Sequence, residues 1–269
     1  MYFPLSKQTL TIPFNRRPQS VILRTLESWL TFKPNKVDHG GLSRFNHERF
    51  FFGERNQLKL DGAFIPGTSD KIVIFIHGNR HNITRFGEHY TLYQNLGISC
   101  FTFDFPGYGR SPGSPSESGL YRSAEAAYLH VTQSLGYHHK QIILHGCSLG
   151  GAVAIELALH HTARCLITES TFTNTREMAR HLYPWLPVHS LLSPKFDNQS
   201  KVGRIKIPHL IIHGDRDKQV PIDMAYRLHD LAANPKKILI VEGAEHTNAV
   251  THGAPSILNT ISAFTSNHR

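Results

Sequence analysis

Cysteine is scarce: Cys100, Cys147 and Cys165 are the three in 269 residues, an odd number without C-x-x-C spacing. A disulfide framework and a zinc ribbon are therefore not expected, and the thiols should be reduced and buried. Long apolar runs are missing too. The longest aliphatic and aromatic run, Ile72 to Ile76, is five residues, far short of the roughly 18 that cross a bilayer. Residues 1–20 lack the apolar core of a signal peptide, because Pro4, Lys7, Pro13, Arg16 and Arg17 interrupt every short stretch that could form one. The default compartment is then the cytosol. Charge is sparse at 18% against 40% hydrophobic residues, which excludes a disordered chain and leaves enough apolar side chain for a core. Acidic side chains are fewer than basic ones, 20 against 29, for a net charge of +9. No nucleic-acid motif or aromatic-basic platform accompanies that charge, so no nucleic-acid partner is expected.

Much of the positive charge lies early. Residues 1–44 hold Lys7, Arg16, Arg17, Arg24, Lys33, Lys36 and Arg44 against Glu27 and Asp38. Within them Ile22, Leu23, Leu26, Trp29 and Leu30 recur at helical steps and predict a short amphipathic helix with a basic polar face. Such a helix either docks on the domain or lies on anionic lipid, as a peripheral membrane contact. Charge alone does not decide between the two. From residue 45 onward the pattern is that of one domain, 45–269. Arg49 to Glu54 and Gln57 to Phe64 read as an antiparallel hairpin. They are followed by short apolar strands at Ile72 to Ile76, Cys100 to Phe103, Gln141 to Leu144, Cys165 to Thr168, His209 to Ile212 and Ile238 to Val241. Helical patterns alternate with these strands: Leu120, Ala124, Ala127, Val131 and Leu135 form one stripe that stops at Gly136, and Ala152 to Leu159 is apolar nearly all round. Strands alternating with helices predict an α/β fold with a mostly parallel central sheet and helices on both faces.

The strand Gln141 to Leu144 runs through His145-Gly146-Cys147-Ser148-Leu149-Gly150-Gly151 directly into a helix. This is the context of a nucleophile elbow, in which a serine sits on a sharp turn that only side-chain-free neighbours permit. Such a turn lifts the Ser148 hydroxyl above the sheet edge. It also points the Leu149 backbone N–H and a helix N-terminus at any negative charge developing there, half of an oxyanion hole.

From about Phe50 to its end the chain resembles the α/β-hydrolase family, in which the nucleophile is followed by an acid and then a histidine. The segment Gly214-Asp215-Arg216-Asp217-Lys218-Gln219-Val220-Pro221 is similar to the family's Gly-x-x-Asp-x-x-Val-Pro acid loop, and Gly243-Ala244-Glu245-His246 to its histidine loop. The resemblance implies Asp217 as the acid, with Asp215 as its rival, and His246 as the base. It further implies that His77-Gly78-Asn79-Arg80 supplies the second oxyanion donor from the Asn79 backbone, with His77 orienting the loop. The run Asp104-Phe105-Pro106-Gly107-Tyr108-Gly109-Arg110-Ser111 is similar to a family turn that holds the loops round the site. Residues 172–206, which carry Phe172, Tyr183, Trp185, Leu186, Val188, Leu191 and Leu192 among prolines, fall where the family inserts a lid; an apolar lid suits an acyl chain, and ordinary packing of a connecting segment gives the same pattern.

The implied activity is hydrolysis of carboxylic esters or thioesters of small-molecule or lipid-like acyl substrates, as in lysophospholipase-like esterases and acyl-protein thioesterases. Peptidases share the scaffold, and a catalytically silent binding protein is the alternative. No cofactor is expected. No metal is expected either, because His77 with His81, His138 with His139 and His160 with His161 lack matching carboxylate or cysteine ligands. Cys147, beside rather than at the elbow tip, reads as a packed, inert thiol.

Overall fold

In the computed structural model, residues 31–53, 59–185 and 195–267 are described. The strand β3 (Ile72–Ile76) is buried along its whole length. Its side chains alternate between two cores, Ile72, Ile74 and Ile76 in one and Val73 and Phe75 in the other, as the two-residue period of a strand requires. The strands β5 (Ile142–Cys147) and β6 (Cys165–Glu169) divide in the same way: Ile142, Leu144 and Leu166 face the first core, and Ile143, Cys147, Cys165 and Ile167 the second. Strands apolar on both sides have to be covered on both sides, which is why the sheet is parallel at its centre and flanked by helices. Each fully buried aliphatic side chain of these strands is worth roughly 1.5–3 kcal/mol, so the two cores are the main source of stability.

The remaining strands are β1 (Glu48–Phe52), β2 (Leu60–Ile65), β4 (Ser99–Phe103), β7 (His209–Gly214) and β8 (Lys236–Val241). They complete an eight-stranded sheet of order β1-β2-β4-β3-β5-β6-β7-β8. β1 and β2 pair antiparallel, β2 joins β4 antiparallel, and every other pairing is parallel. Among the described residues the α-helices are α1 (Gly87–Asn95), α2 (Glu117–Leu129), α3 (Leu149–His160), α4 (Thr175–Leu182), α5 (Ile222–Leu231), α6 (Ala249–His252) and α7 (Ala254–Asn267). α2, α3 and α5 fill the core on the Ile74 side, and α1, α6 and α7 the core on the Phe75 side. Among the described residues no helix is long and apolar enough to cross a membrane.

The expected strands are present, with β5 reaching three residues further, to Cys147, and β8 starting two residues earlier, at Lys236. The helix expected to continue to Leu135 departs more. Its α-helical part ends at Leu129, a widened turn spans His130–Ser134, and Gly136 stops the chain at φ +76°. The His130 ring in that turn packs on Phe50, Phe52 and Phe101. The amphipathic helix expected around residues 21–30 lies outside the described residues. Residues 31–44, grouped with it by composition, pack on the domain: Phe32 and Leu42 are buried, and the Asn35 carbonyl accepts the Gly109 N–H at 2.8 Å.

At the β5-to-α3 junction backbone meets backbone. A methyl group on Gly146 would overlap the Gly150 carbonyl, and one on Gly150 would overlap the backbone carbonyls of Ile76 and His77. Backbone cannot swing aside as a side-chain tip does. Gly150→Ala should therefore lower stability by at least the ~1–3 kcal/mol typical of overpacking; urea denaturation reads this directly, and wild-type stability in the variant would show that strand and helix do not need so close an approach.

Candidate active site

Ser148 stands alone between β5 and α3 with φ +53° and ψ −114°. A non-glycine residue in such a conformation stores about 1–3 kcal/mol and persists only where its surroundings dictate it. Here its N–H donates to the Glu169 carbonyl at 2.7 Å, and its own carbonyl accepts the Gly151 N–H at 3.0 Å. β7 and β8 pair in parallel from His209 and Lys236 to Gly214 and Val241, so the loops that follow them emerge side by side at the same sheet edge as Ser148. That edge, at the carboxyl ends of parallel strands, is where open α/β sheets bind ligands.

These loops deliver Asp217 and His246. The His246 Nδ1 lies 2.7 Å from Asp217 Oδ2, and its Nε2 lies 3.2 Å from Ser148 Oγ. With Nδ1–H donating to the carboxylate, Nε2 presents its lone pair to the serine hydroxyl. Asp217 Oδ1 accepts the N–H groups of Gln219 and Val220 at 2.8 and 2.9 Å, so the carboxylate is fixed before the imidazole reaches it. Burial pushes the Asp217 carboxyl up, but the hydrogen bond and charge of His246, with the Val220 amide and His213, outweigh burial and hold it below its ordinary value. Asp215 does something else. Its Oδ1 accepts the Gly243 N–H at 2.6 Å, tying the acid loop to the histidine loop.

The loop after β3 closes the site from the other side. Gly78 lies against the elbow, so close that a Cβ there would come within 3.6 Å of Ser148 Cβ. His77 beneath it is fully buried; its Nδ1–H donates to the Gly78 carbonyl at 2.7 Å and its Nε2 accepts the Phe105 N–H at 3.4 Å. Burial lowers the His77 pKa to about 4, so a neutral ring serves as a two-ended strut. The Asn79 side chain is clamped as well: Oδ1 accepts the Lys33 N–H at 2.9 Å and the Tyr108 hydroxyl at 2.7 Å, while Nδ2 donates to the Thr31 carbonyl at 2.6 Å. Tyr108 belongs to the Asp104 to Ser111 turn, which thus holds the Asn79 loop. Leu149 opens α3, where the first backbone N–H groups of a helix have no intrahelical partner.

A cavity of about 380 Å³ opens over Ser148 and His246. Its lining combines the apolar Phe172, Met178, Ala179, Leu182 and Tyr183 from α4 and its flanks with the basic Lys33, Arg80, Arg85 and Lys195. Of the expected lid, α4 is part of the lining, Trp185 is 73% exposed, and residues 186–194 lie outside the described residues.

Several residues at the site had no sequence signal. His213 is buried beside the acid, with Nε2 donating to the Val220 carbonyl at 2.9 Å and standing 3.5 Å from Asp217 Oδ2. Glu169, at the end of β6, is buried beneath the cavity and takes His89 Nε2 at 2.9 Å and Cys147 Sγ at 3.3 Å on Oε2. Burial pushes the Glu169 carboxyl up, but His89 and His145 overcome it and hold it well below the carboxylate range. Burial, with Glu169 beside it, keeps the Cys147 thiol well above its ordinary value. Among the described residues, His89, Cys147 and Glu169 are the group whose donor atoms lie close enough together to share a metal ion, all within 4.8 Å. None of the histidine pairs weighed from the sequence belongs to it.

The α/β-hydrolase family model matches residues 73–197. The uncharacterized protein Rv2307c of Mycobacterium tuberculosis is 32% identical over 210 residues, 77% of this chain and 75% of that protein. The lysophosphatidylserine lipase ABHD12 of Danio rerio is 34% identical over 193 residues, 64% of this chain and 50% of that protein. In three dimensions the chain resembles the Pyrococcus furiosus esterase Pf2001, with a TM-score of 0.74 at 19% identity over 88% of this chain and 97% of that one. The elbow, the eight-stranded sheet and these relatives agree: the chain is a member of the α/β-hydrolase family.

Proposed function

We propose that the protein is a serine hydrolase that cleaves carboxylic ester or thioester bonds of acyl-lipid or acyl-protein substrates through an acyl-enzyme on Ser148. The observation that carries this reading is the His246 imidazole bridging Asp217 Oδ2 at 2.7 Å and Ser148 Oγ at 3.2 Å. A serine hydroxyl is a weak nucleophile in neutral water and needs a base within hydrogen-bond reach. In this reading Ser148 Oγ attacks the substrate carbonyl while His246 Nε2 takes its proton. The negative charge formed on the carbonyl oxygen is met by the backbone N–H groups of Leu149 and Asn79. His246 then gives the proton to the departing alcohol or thiol, and water releases the acyl group by the same steps in reverse order of roles. Asp217 keeps the imidazole in the required tautomer and stabilises its cationic form.

Base assistance of this kind is worth about 10²–10⁴ in rate, and one oxyanion donor about 2.7–4 kcal/mol. The apolar lining at Phe172, Met178 and Leu182 suits an acyl chain, and a lipase among the relatives supports a lipid-like substrate. The basic segment 1–44 is, in this reading, the part that brings the chain to an anionic surface.

A fluorophosphonate probe should label the wild-type chain and fail on Ser148→Ala, whose turnover of a short acyl ester should fall by a factor on the order of 10⁶; equal labelling of both chains would remove Ser148 from the reaction. Asp217→Asn should reduce kcat on the order of 10⁴, whereas Asp215→Asn, which keeps an oxygen to accept the Gly243 N–H and touches no part of His246, should keep most of it. Kinetics showing the opposite ranking would reassign the acid.

The depressed Asp217 pKa also has a thermodynamic signature. Because the folded value lies below the unfolded value of ~3.9, the ionised carboxylate stabilises the fold at every pH above that value, and the contribution is lost as pH falls through the folded value. The stability gap between wild type and Asp217→Asn, measured by urea denaturation from about pH 7 down to about pH 2, should narrow with acidification. A constant gap would mean that Asp217 is not held ionised.

A further inference from the structure

Beneath the elbow, on the α1 side of the sheet, lies a buried polar cluster for which the proposed reaction has no use. The two-residue period of β5 turns His145 and Cys147 to the same face, and the parallel register sets Cys147 beside Glu169 of β6. His89 and Tyr93 approach from α1, one helical turn apart. The resulting distances are short: His89 Nε2 to Glu169 Oε2 2.9 Å, Cys147 Sγ to Glu169 Oε2 3.3 Å, Cys147 Sγ to His89 Nε2 3.5 Å and His145 Nε2 to Glu169 Oε2 3.4 Å. The Tyr93 hydroxyl holds His145 Nδ1 at 2.7 Å. His145 Nε2, fully buried and aimed at the cluster, faces Glu169 Oε2 without a well-aligned hydrogen bond. His89, Cys147 and Glu169 also line the cavity over Ser148, which gives a small solute a route to them.

The geometry points to a binding site for a divalent transition-metal ion of the zinc type, held by His89 Nε2, Cys147 Sγ, Glu169 Oε2 and, as fourth ligand, His145 Nε2. Two neutral imidazoles, a thiolate and a carboxylate balance the charge of such an ion and mix soft and borderline donors as zinc prefers. Bond lengths of about 2.0–2.3 Å in a tetrahedron put neighbouring donors about 3.3–3.6 Å apart, so the 2.9–3.5 Å among His89, Cys147 and Glu169 requires shifts of only a few tenths of an ångström, and His145 Nε2 lies 3.4 Å from Glu169 Oε2. Tyr93 supplies the outer partner that fixes the tautomer and ring orientation of a ligating histidine. Binding breaks the Cys147 S–H bond, forms the metal–sulfur bond and releases the proton to solvent, so affinity falls as pH falls. The site itself does not depend on the hydrolase reading; one consequence does, which is that an ion at the cavity floor beside Ser148 blocks hydrolysis reversibly.

The test is optical. The chelator-treated full-length chain is titrated with Co2+, whose bond to a thiolate absorbs in the near ultraviolet and whose tetrahedral complexes absorb strongly in the visible. Both bands should saturate at one equivalent and be displaced by Zn2+. Cys147→Ser should abolish the near-ultraviolet band, and Tyr93→Phe should keep it with about 10–100-fold weaker binding; circular dichroism checks that both near-isosteric variants are folded. A folded wild-type chain without the band, or a band that persists in Cys147→Ser, overturns the site, and unchanged affinity in Tyr93→Phe overturns His145 as fourth ligand. A second measurement needs no variant: at a pH and reagent concentration chosen so that the metal-free chain is alkylated at Cys147, Zn2+ should protect that thiol, read by mass spectrometry, and equal modification with and without Zn2+ overturns the proposal. Failure of the fluorophosphonate experiment at Ser148 would leave the cobalt spectrum unchanged, so the two readings fail separately.

Discussion

The backbone of Ser148 is the constraint on which the rest of the site depends. Its left-handed conformation, φ +53°, exists because β5 and α3 meet too closely for any other path, and they meet so closely because Gly146 and Gly150 leave room for each other's backbone. The same crowding raises the hydroxyl above the sheet edge and aligns the start of α3 with it. Loops after β7 and β8 reach this serine only because parallel register carries both strands to one edge. Ser148 and His246 are 98 residues apart in the chain and 3.2 Å apart in space.

Around that serine the protein buries polar groups that would each be costly without a partner. Asp217 is met by two amides and an imidazole, His77 by a carbonyl and an amide, and Glu169 by His89 and Cys147. Low surrounding polarisability strengthens such hydrogen bonds and makes an unmet one expensive. The misaligned contact of His145 Nε2 with Glu169 stands out against this background, as does the concentration of four ligand-type side chains on one side of the elbow. Asp215 and Asp217, two residues apart, show how position decides role: one ties two loops together, and the other is enclosed with a histidine.

Much of the fold was legible in residue order. Apolar runs such as Ile72 to Ile76 are buried strands because no other placement removes all five side chains from water, and the glycines around Ser148 marked the elbow because only they permit it. The family resemblance singled out Asp217 and His246, and both lie at hydrogen-bond distance in one line with Ser148. What failed were boundaries and contacts set by packing. The helix expected to reach Leu135 changes pitch at His130, where its ring meets three phenylalanines from β1 and β4, and residues 31–44 join the domain through Phe32 and the Asn79 clamp.

By itself the sequence determined where the buried strands lie, where the serine turn falls and that the sheet is mostly parallel, because those follow from periodicity, glycine placement and local steric rules. Only the tertiary structure decided which of 19 histidines face a carboxylate, that Cys147 sits on Glu169, and that a cavity lined by apolar and basic side chains opens over Ser148. Those outcomes depend on strand register and helix docking, which bring distant side chains within a few ångströms, and no spacing along the chain encodes such distances.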